Sequence, residues 1–256
     1  ILYKKWGEKL EPIALNTINS ILSFFGLLAI VLITQTNFYI DNINLLKIAL
    51  SGILGITIGD SLFYASLNRI SPVITSIIVL AGPFFSGIFG LVFLHEIPSK
   101  HSLITIILIL LITTLILCHN KEKKITKNSI SGIIFAILSL CLTSFAMIII
   151  KPVLIETSTL VVTMYRMLFS TVTLFIYAFI SKKIFLWVPI VKNNNFSFKL
   201  TITVTISTLG GFWCSLISLK YCNLITTSSI LALEPFFIFI FLIIIEKIKN
   251  IYSNDK

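Results

Sequence analysis

The hydrophobic positions of this chain fall into long runs separated by short polar loops. A bilayer core about 30 Å thick takes about 20 apolar residues of helix to cross. Eight runs meet that measure: 12–34, 45–67, 72–94, 102–118, 130–151, 158–180, 200–219 and 224–245. The pattern predicts an all-α integral membrane protein with about eight transmembrane helices. Pro12 and Pro72 stand in first turns, where a missing N–H leaves nothing unsatisfied. Pro83 and Pro235 fall within spans, where proline frees a carbonyl and bends the helix, so both are candidate breaks or gating points.

Composition agrees. Hydrophobic residues make up 57% of the chain and charged residues 12%, with a mean hydropathy of +1.03, far from the quarter-charged soluble class. The net charge of +10 does not point to nucleic acid, because the basic residues sit in loops between apolar runs. The four cysteines lie in or at the ends of apolar runs without CxxC spacing, and read as small buried hydrophobes rather than disulfide or metal partners.

Alternating the eight spans divides the loops into two sets. The N-terminal stretch, 68–71, 119–129, 181–199 and the tail carry fifteen Lys and Arg, whereas the opposite loops carry Lys47, Lys100, Lys151 and Lys220. Positive charge stays inside, so loops 119–129 and 181–199 are expected in the cytoplasm of a multi-pass plasma (inner) membrane protein. The Asn195-Phe196-Ser197 glycosylation pattern falls on that side and is discounted.

Sliding the sequence on itself by 152 positions aligns 59–89 with 211–241, and eleven of the 31 positions are identical, among them Gly59/Gly211, Thr75-Ser76/Thr227-Ser228 and Pro83/Pro235. The third span thus matches the eighth, five helices later. Five is odd, so the copies are inverted, as in secondary transporters whose substrate sites lie near the midplane between repeats. The first repeat is 1–118 with four visible helices, 119–129 is a linker, and 130–256 is the second repeat.

Within the spans, charge is expensive and needs a reason. Asp60 reads as a proton-coupling or substrate-amine contact, or as a helix-to-helix hydrogen bond. Arg166 reads as a carboxylate or phosphate binder, or as a side chain that snorkels or pairs with Glu156. Glu234, beside Pro235, is a further pathway candidate, or a partner of Arg166. Tyr64 and Trp213 could line the pathway or simply pack. Gly55 and Gly59, matched by Ser207 and Gly211, form a small-residue face for helix packing, as do Gly82, Ser86 and Gly90. His95-Glu96 opens like a zinc-protease helix, but Ser99 stands where the second His belongs.

The segment Ile58-Gly59-Asp60-Ser61-Leu62-Phe63-Tyr64-Ala65-Ser66-Leu67-Asn68-Arg69-Ile70-Ser71 resembles the third-helix motif of EamA-type transporters in the drug/metabolite transporter superfamily. Leu80-Ala81-Gly82-Pro83, leading to Leu94-His95-Glu96, resembles the continuation of that motif in the same family, and 218–246 resembles the pattern again. The resemblance implies a ten-helix fold of two inverted fives. Eight spans correspond to such a fold without its first and last helices, and Asn19 stands where family members often carry an Arg, a place Arg166 fills in the second half.

The expectation is therefore a secondary transporter of small metabolites working by alternating access, in export or exchange. A truncated non-transporting remnant or membrane subunit is the alternative, and a membrane-embedded enzyme a weaker one, since His95, His101 and His119 all lie at loop edges. No GxxxxGK[ST] loop occurs, and no cofactor or metal is expected. Expected partners are lipid and a small-molecule substrate, with a homodimer left open and nucleic acid excluded. A single cysteine placed at Lys123 should react with an impermeant maleimide only from the cytoplasmic face; labelling from outside would overturn the topology.

Overall fold

A computed structural model of the chain describes residues 11–70, 72–97, the single positions 100, 103, 104, 107 and 111, 127–182, and 208–232. Helix α1 is Pro12–Ile33, and α2 is Asn42–Leu67. Then come α3, Pro72–Val79, and α4, Gly82–Leu94. Helices α5, Lys127–Glu156, and α6, Thr159–Ile180, come next. Helix α7 covers 208–221, and α8 is Leu224–Leu231. The described residues contain no strand. Four of their helices are long and apolar enough to cross a membrane: α1, α2, residues Ser129–Glu156 of α5, and α6. The protein is an all-α integral membrane protein.

Two boundaries depart from the sequence pattern. The third run is two helices, because α3 ends at Val79 and the chain turns through Leu80 and Ala81 before Gly82-Pro83 restarts it. The fifth run does not stop at Lys151. Helix α5 carries Pro152 inside it and continues to Glu156. Val153 and Leu154, just past the proline, are fully buried in a cluster with Leu216, Leu219 and Leu224. That packing outweighs the local disruption proline brings. Most of the run 102–118, and residues 200–207 and 233–245 of the last two runs, lie outside the described residues, as do most of loops 119–129 and 181–199.

The bundle has two ends that α5 spans. At one end the start of α1, the end of α2 and the end of α6 meet in a cluster of Ala14, Leu15, Tyr64, Leu67 and Ala178. Gly132, near the start of α5, packs there against Arg69 and Ile70. At the other end Glu96, beyond α4, pairs with Lys151 of α5 and accepts the N–H of Leu224, the first residue of α8, at 2.8 Å. The distance from Gly132 to Lys151 is 19 residues, about 28 Å of helix at 1.5 Å per residue. Helix α2 ends at the Arg69 end, and its repeat-mate α7 ends at the Glu96 end. Helix α3 begins at the Arg69 end, just past Ile70, and its repeat-mate α8 begins at the Glu96 end. The two copies run in opposite directions, as an odd helix offset requires.

Helix α2 is α-helical over Asn42–Ser51 and Ser61–Leu67, with nine residues of π-helix, Gly52–Asp60, between them. The wider winding passes through three glycines. A methyl on Gly52 would lie 2.7 Å from the carbonyl oxygen of Arg166, and one on Gly55 would lie 2.9 Å from Cβ of Ala146. One on Gly59 would lie 2.9 Å from Cγ2 of Thr143. These glycines let α2 lie against the backbones of α5 and α6, the close approach that helices in lipid use where they lack a hydrophobic drive to associate. Gly26 of α1, by contrast, has no described atom within 4 Å of such a methyl. Gly52→Ala should destabilise the detergent-solubilised protein by roughly 1–3 kcal/mol through overpacking. Gly26→Ala should be neutral or stabilising by up to about 1 kcal/mol through helix propensity. Thermal denaturation followed by size-exclusion fluorescence compares the two; equal melting temperatures would rule out the tight α2–α6 approach.

Candidate functional site

Polar side chains in an apolar helix gather on the face that meets other polar groups, because lipid offers them no partner. On α1 these are Asn16, Asn19, Ser20 and Ser23, at helical spacings of three and four, and all four are buried. Asn16 faces α2 and Ser20 faces α6. Asn16 Nδ2 donates to the carbonyl of Ile56 at 2.7 Å and to Ser61 Oγ at 2.9 Å. Ser20 and Ser170 hydroxyls meet at 3.3 Å, and Thr57 Oγ1 donates to Ser170 Oγ at 3.1 Å. The Ile56 carbonyl belongs to the π segment, whose winding displaces backbone groups from the α pattern and is often found at functional sites.

Into this polar seam project two charges from opposite repeats. Arg166 of α6 is 3% exposed, its guanidinium Nη2 beside the space that a Gly55 side chain would fill. Asp60 closes the π segment of α2. The two lie near enough for their charges to act on each other. They are not in contact, since Lys151–Glu96 is the one ion pair within 4 Å among the described residues. Asp60 Oδ2 and Arg166 Nε are both enclosed and have no hydrogen-bond partner among the described residues. Buried polar atoms without partners are uncommon, and a charged one is costly. Among the described residues, this seam therefore keeps unsatisfied capacity of both signs.

The structure corrects one pairing and separates other candidates. Glu156 is exposed at the end of α5 and forms no ion pair with Arg166, whose opposite charge is Asp60 instead. Glu234 and Pro235 lie outside the described residues. Tyr64 packs in the cluster at the Arg69 end. Trp213, at the end of the second π segment, donates from Nε1 to Thr159 Oγ1 at 3.3 Å, near the start of α6, and packs against the cluster that holds Leu27, Ile56, Leu160 and Met164. The two aromatics thus sit at opposite ends. Pro83 starts α4 just after the break. Ser86 meets Ser144 of α5 at 3.3 Å, and Gly90 lies beneath Glu96 and Leu224. Gly82 makes only an ordinary contact with Leu140, and Gly211 has no described atom within 4 Å of where a side chain would begin.

A cavity of about 860 Å³ opens at the Arg69 end, between α1 and α2 of the first repeat and α5 and α6 of the second. Its lining includes Thr57 and Ser61, which flank Asp60 in sequence and bond into the seam, and Thr173 three residues beyond Ser170. At its mouth the Arg69 guanidinium sits 4.6 Å from the Phe135 ring centre and donates to the carbonyl of Ala65 at 2.9 Å, a cation–π arrangement. Neither Tyr64 nor Trp213 lines it. The neutral seam residues Asn16, Ser20, Thr57, Ser61 and Ser170, together with Gly52, do not stand out in the sequence. The spacing of 16, 19, 20 and 23 on one helix face is the available signal.

A solved crystal structure superposes on 91% of this chain and 78% of its own, with a TM-score of 0.69 at 12% identity, a likeness of fold. No curated protein matches the sequence. The family model of the EamA-like transporter family matches residues 1–118 and 130–251. With nearly its whole length covered by that family's model, the chain belongs to the EamA-like transporter family.

Proposed function

We propose that the protein is a secondary transporter that moves small metabolites across the plasma (inner) membrane by alternating access, in export or exchange. The repeats 1–118 and 130–256 are the bodies that rock against each other, and the loops around 119–129 and 181–199 lie in the cytoplasm. The observation that carries the reading is the placement of Asp60 and Arg166. They stand on opposite repeats, enclosed in the membrane part of the bundle, not touching, and next to a cavity open at one end. Intramembrane ionisable residues of this kind mark substrate or proton pathways. Asp60 would take a proton or a substrate ammonium, and Arg166, with its planar fork, a carboxylate or phosphate. Thr57, Ser61 and Ser170 would supply hydrogen bonds between the cavity and the pair. The break before Pro83, and by repeat symmetry Pro235, would serve as a hinge.

Purified protein in proteoliposomes, screened for uptake of amino acids, nucleotide derivatives and organic cations, tests this directly. Asp60→Asn and Arg166→Gln should each lower uptake of the transported solute by about tenfold or more, the equivalent of one lost charged contact of ~1.4 kcal/mol. Glu234→Gln tests the remaining intramembrane acid in parallel. Uptake at the wild-type rate in all three would overturn the site. Ser181→Ala, at the exposed end of α6, should leave uptake unchanged.

A further inference from the structure

We infer that Glu96, Lys151 and the start of α8 form a releasable latch between the two repeats, which shuts the end of the bundle opposite the cavity. The inference rests on the transporter reading above and adds to it the residues that hold one of its states. Glu96 comes from the first repeat, while its partners Lys151 and Leu224, with Cys222 beside them, come from the second. One carboxylate oxygen pairs with Lys151 Nζ, and the other accepts the Leu224 N–H at 2.8 Å. Lys151 Nζ also donates to the carbonyl of Cys222 at 2.9 Å. Lys220 Nζ adds a bond to the carbonyl of Thr157 at 3.1 Å within the second repeat.

Three features make this an aimed contact. His95 adopts a left-handed conformation (φ 52°) that ends α4, and Glu96 N–H then bonds back to the carbonyl of Gly90 at 3.1 Å. The turn brings the Glu96 carboxylate over Gly90, beside Leu224. A carboxylate at the first N–H of α8 is the polarity that a helix start favours. The side chains of Glu96 and Lys151 are only 13% and 16% exposed, so water screens the pair little. Placement completes the case. Phe135, which lines the cavity, and Lys151 lie on the same helix, 16 residues or about 24 Å apart. Among the described residues the bundle has a cavity at one end and is bonded across the repeats at the other. Separating the repeats at the Glu96 end requires these bonds to break, and their loss biases the equilibrium towards opening there.

The test uses the full chain with its four cysteines replaced by serine, and one reporter cysteine at a time. Thr173→Cys reports the cavity, and Ser86→Cys, one turn below Gly90, reports the latch end. Impermeant maleimide is applied from each side of oriented vesicles. Glu96→Gln keeps an acceptor for the Leu224 N–H and loses only the ion pair; Lys151→Met keeps a long, unbranched side chain and loses the charge. Each should slow labelling at Thr173→Cys from the cavity side, and speed labelling at Ser86→Cys from the latch side, by about fivefold or more, the lower edge of ordinary coupling between sites. Glu156→Gln, at an exposed acid outside the latch, should change neither. The proposal is overturned by unchanged rates in both variants, by equal shifts in Glu156→Gln, or by loss of monodisperse elution in both, which would make the contact a structural staple. Shifted labelling with no uptake by any form, wild type included, keeps the latch and overturns the transport reading. Unshifted labelling with uptake intact does the reverse.

Discussion

The constraint on which the rest of this bundle depends is the burial of the Arg166 guanidinium. Translocon measurements put an arginine at the centre of a membrane helix at roughly +2.5 to +3.5 kcal/mol, so its neighbours must be arranged to receive it. The main chain of Arg166 touches the place where a side chain on Gly52 would start, and its guanidinium takes up the space beside Gly55. Asp60 provides the compensating charge from the same π-wound stretch. The polar stripe of α1 then falls into place, since Asn16 holds the π segment through the carbonyl of Ile56 and Ser20 reaches Ser170, one turn beyond Arg166. Glycines, winding and serines are different answers to one question: where a permanent cation can sit between helices.

The π winding is also where the repeat shows most clearly. At the 152-residue offset, Gly52–Asp60 corresponds to 204–212, and the second π segment covers Thr208–Trp213. The same departure from α geometry therefore occurs in both copies at matching positions. A π turn leaves backbone carbonyls without their usual partners and loosens the helix locally. In a bundle whose halves are read as rocking, these segments are natural places for bending to concentrate, and the break between α3 and α4 is a third.

Much of the fold is legible in the sequence because lipid imposes simple rules. Apolar run length locates the spans, and the repeat locates the inversion, which the directions of α2 and α7 reproduce. Asp60 and Arg166 stand out because charge in an apolar run is rare. Their relation does not. In one dimension Glu156 and Glu234 are equally good partners for Arg166, and nothing there says that a residue 106 positions earlier shares its level in the bundle. Pro152 misleads for a local reason: proline usually ends a helix, but Val153 and Leu154 gain enough from burial to carry α5 past it. Gly52 is silent in the sequence because a glycine's partner lies on another helix. Glu96 draws notice through a metal motif it does not complete and as the end of the family-like stretch from Leu80, and neither names its partners. Its actual contacts depend on the left-handed turn at His95, a conformation no pattern of hydrophobicity announces.

The repeats are alike in backbone but not in chemistry, and that asymmetry bears on mechanism. Helix α1 presents amides and hydroxyls to the seam, whereas α6 presents Arg166 with Ser170. The acid of the pair belongs to the first repeat and the base to the second. A rocking of one repeat against the other that moves Asp60 relative to Arg166 therefore changes the interaction between the two charges. For unit charges the interaction scales as 332/(εr) kcal/mol, so at an effective ε of about 20 a change from ~5 to ~8 Å is worth about 1 kcal/mol. Two states of the bundle that differ in this distance differ in energy by an amount that a bound ion or solute can reverse. On the proposed alternating-access reading, a ligand that neutralises either charge acts on the conformational equilibrium directly, because the pair spans the boundary between the two repeats.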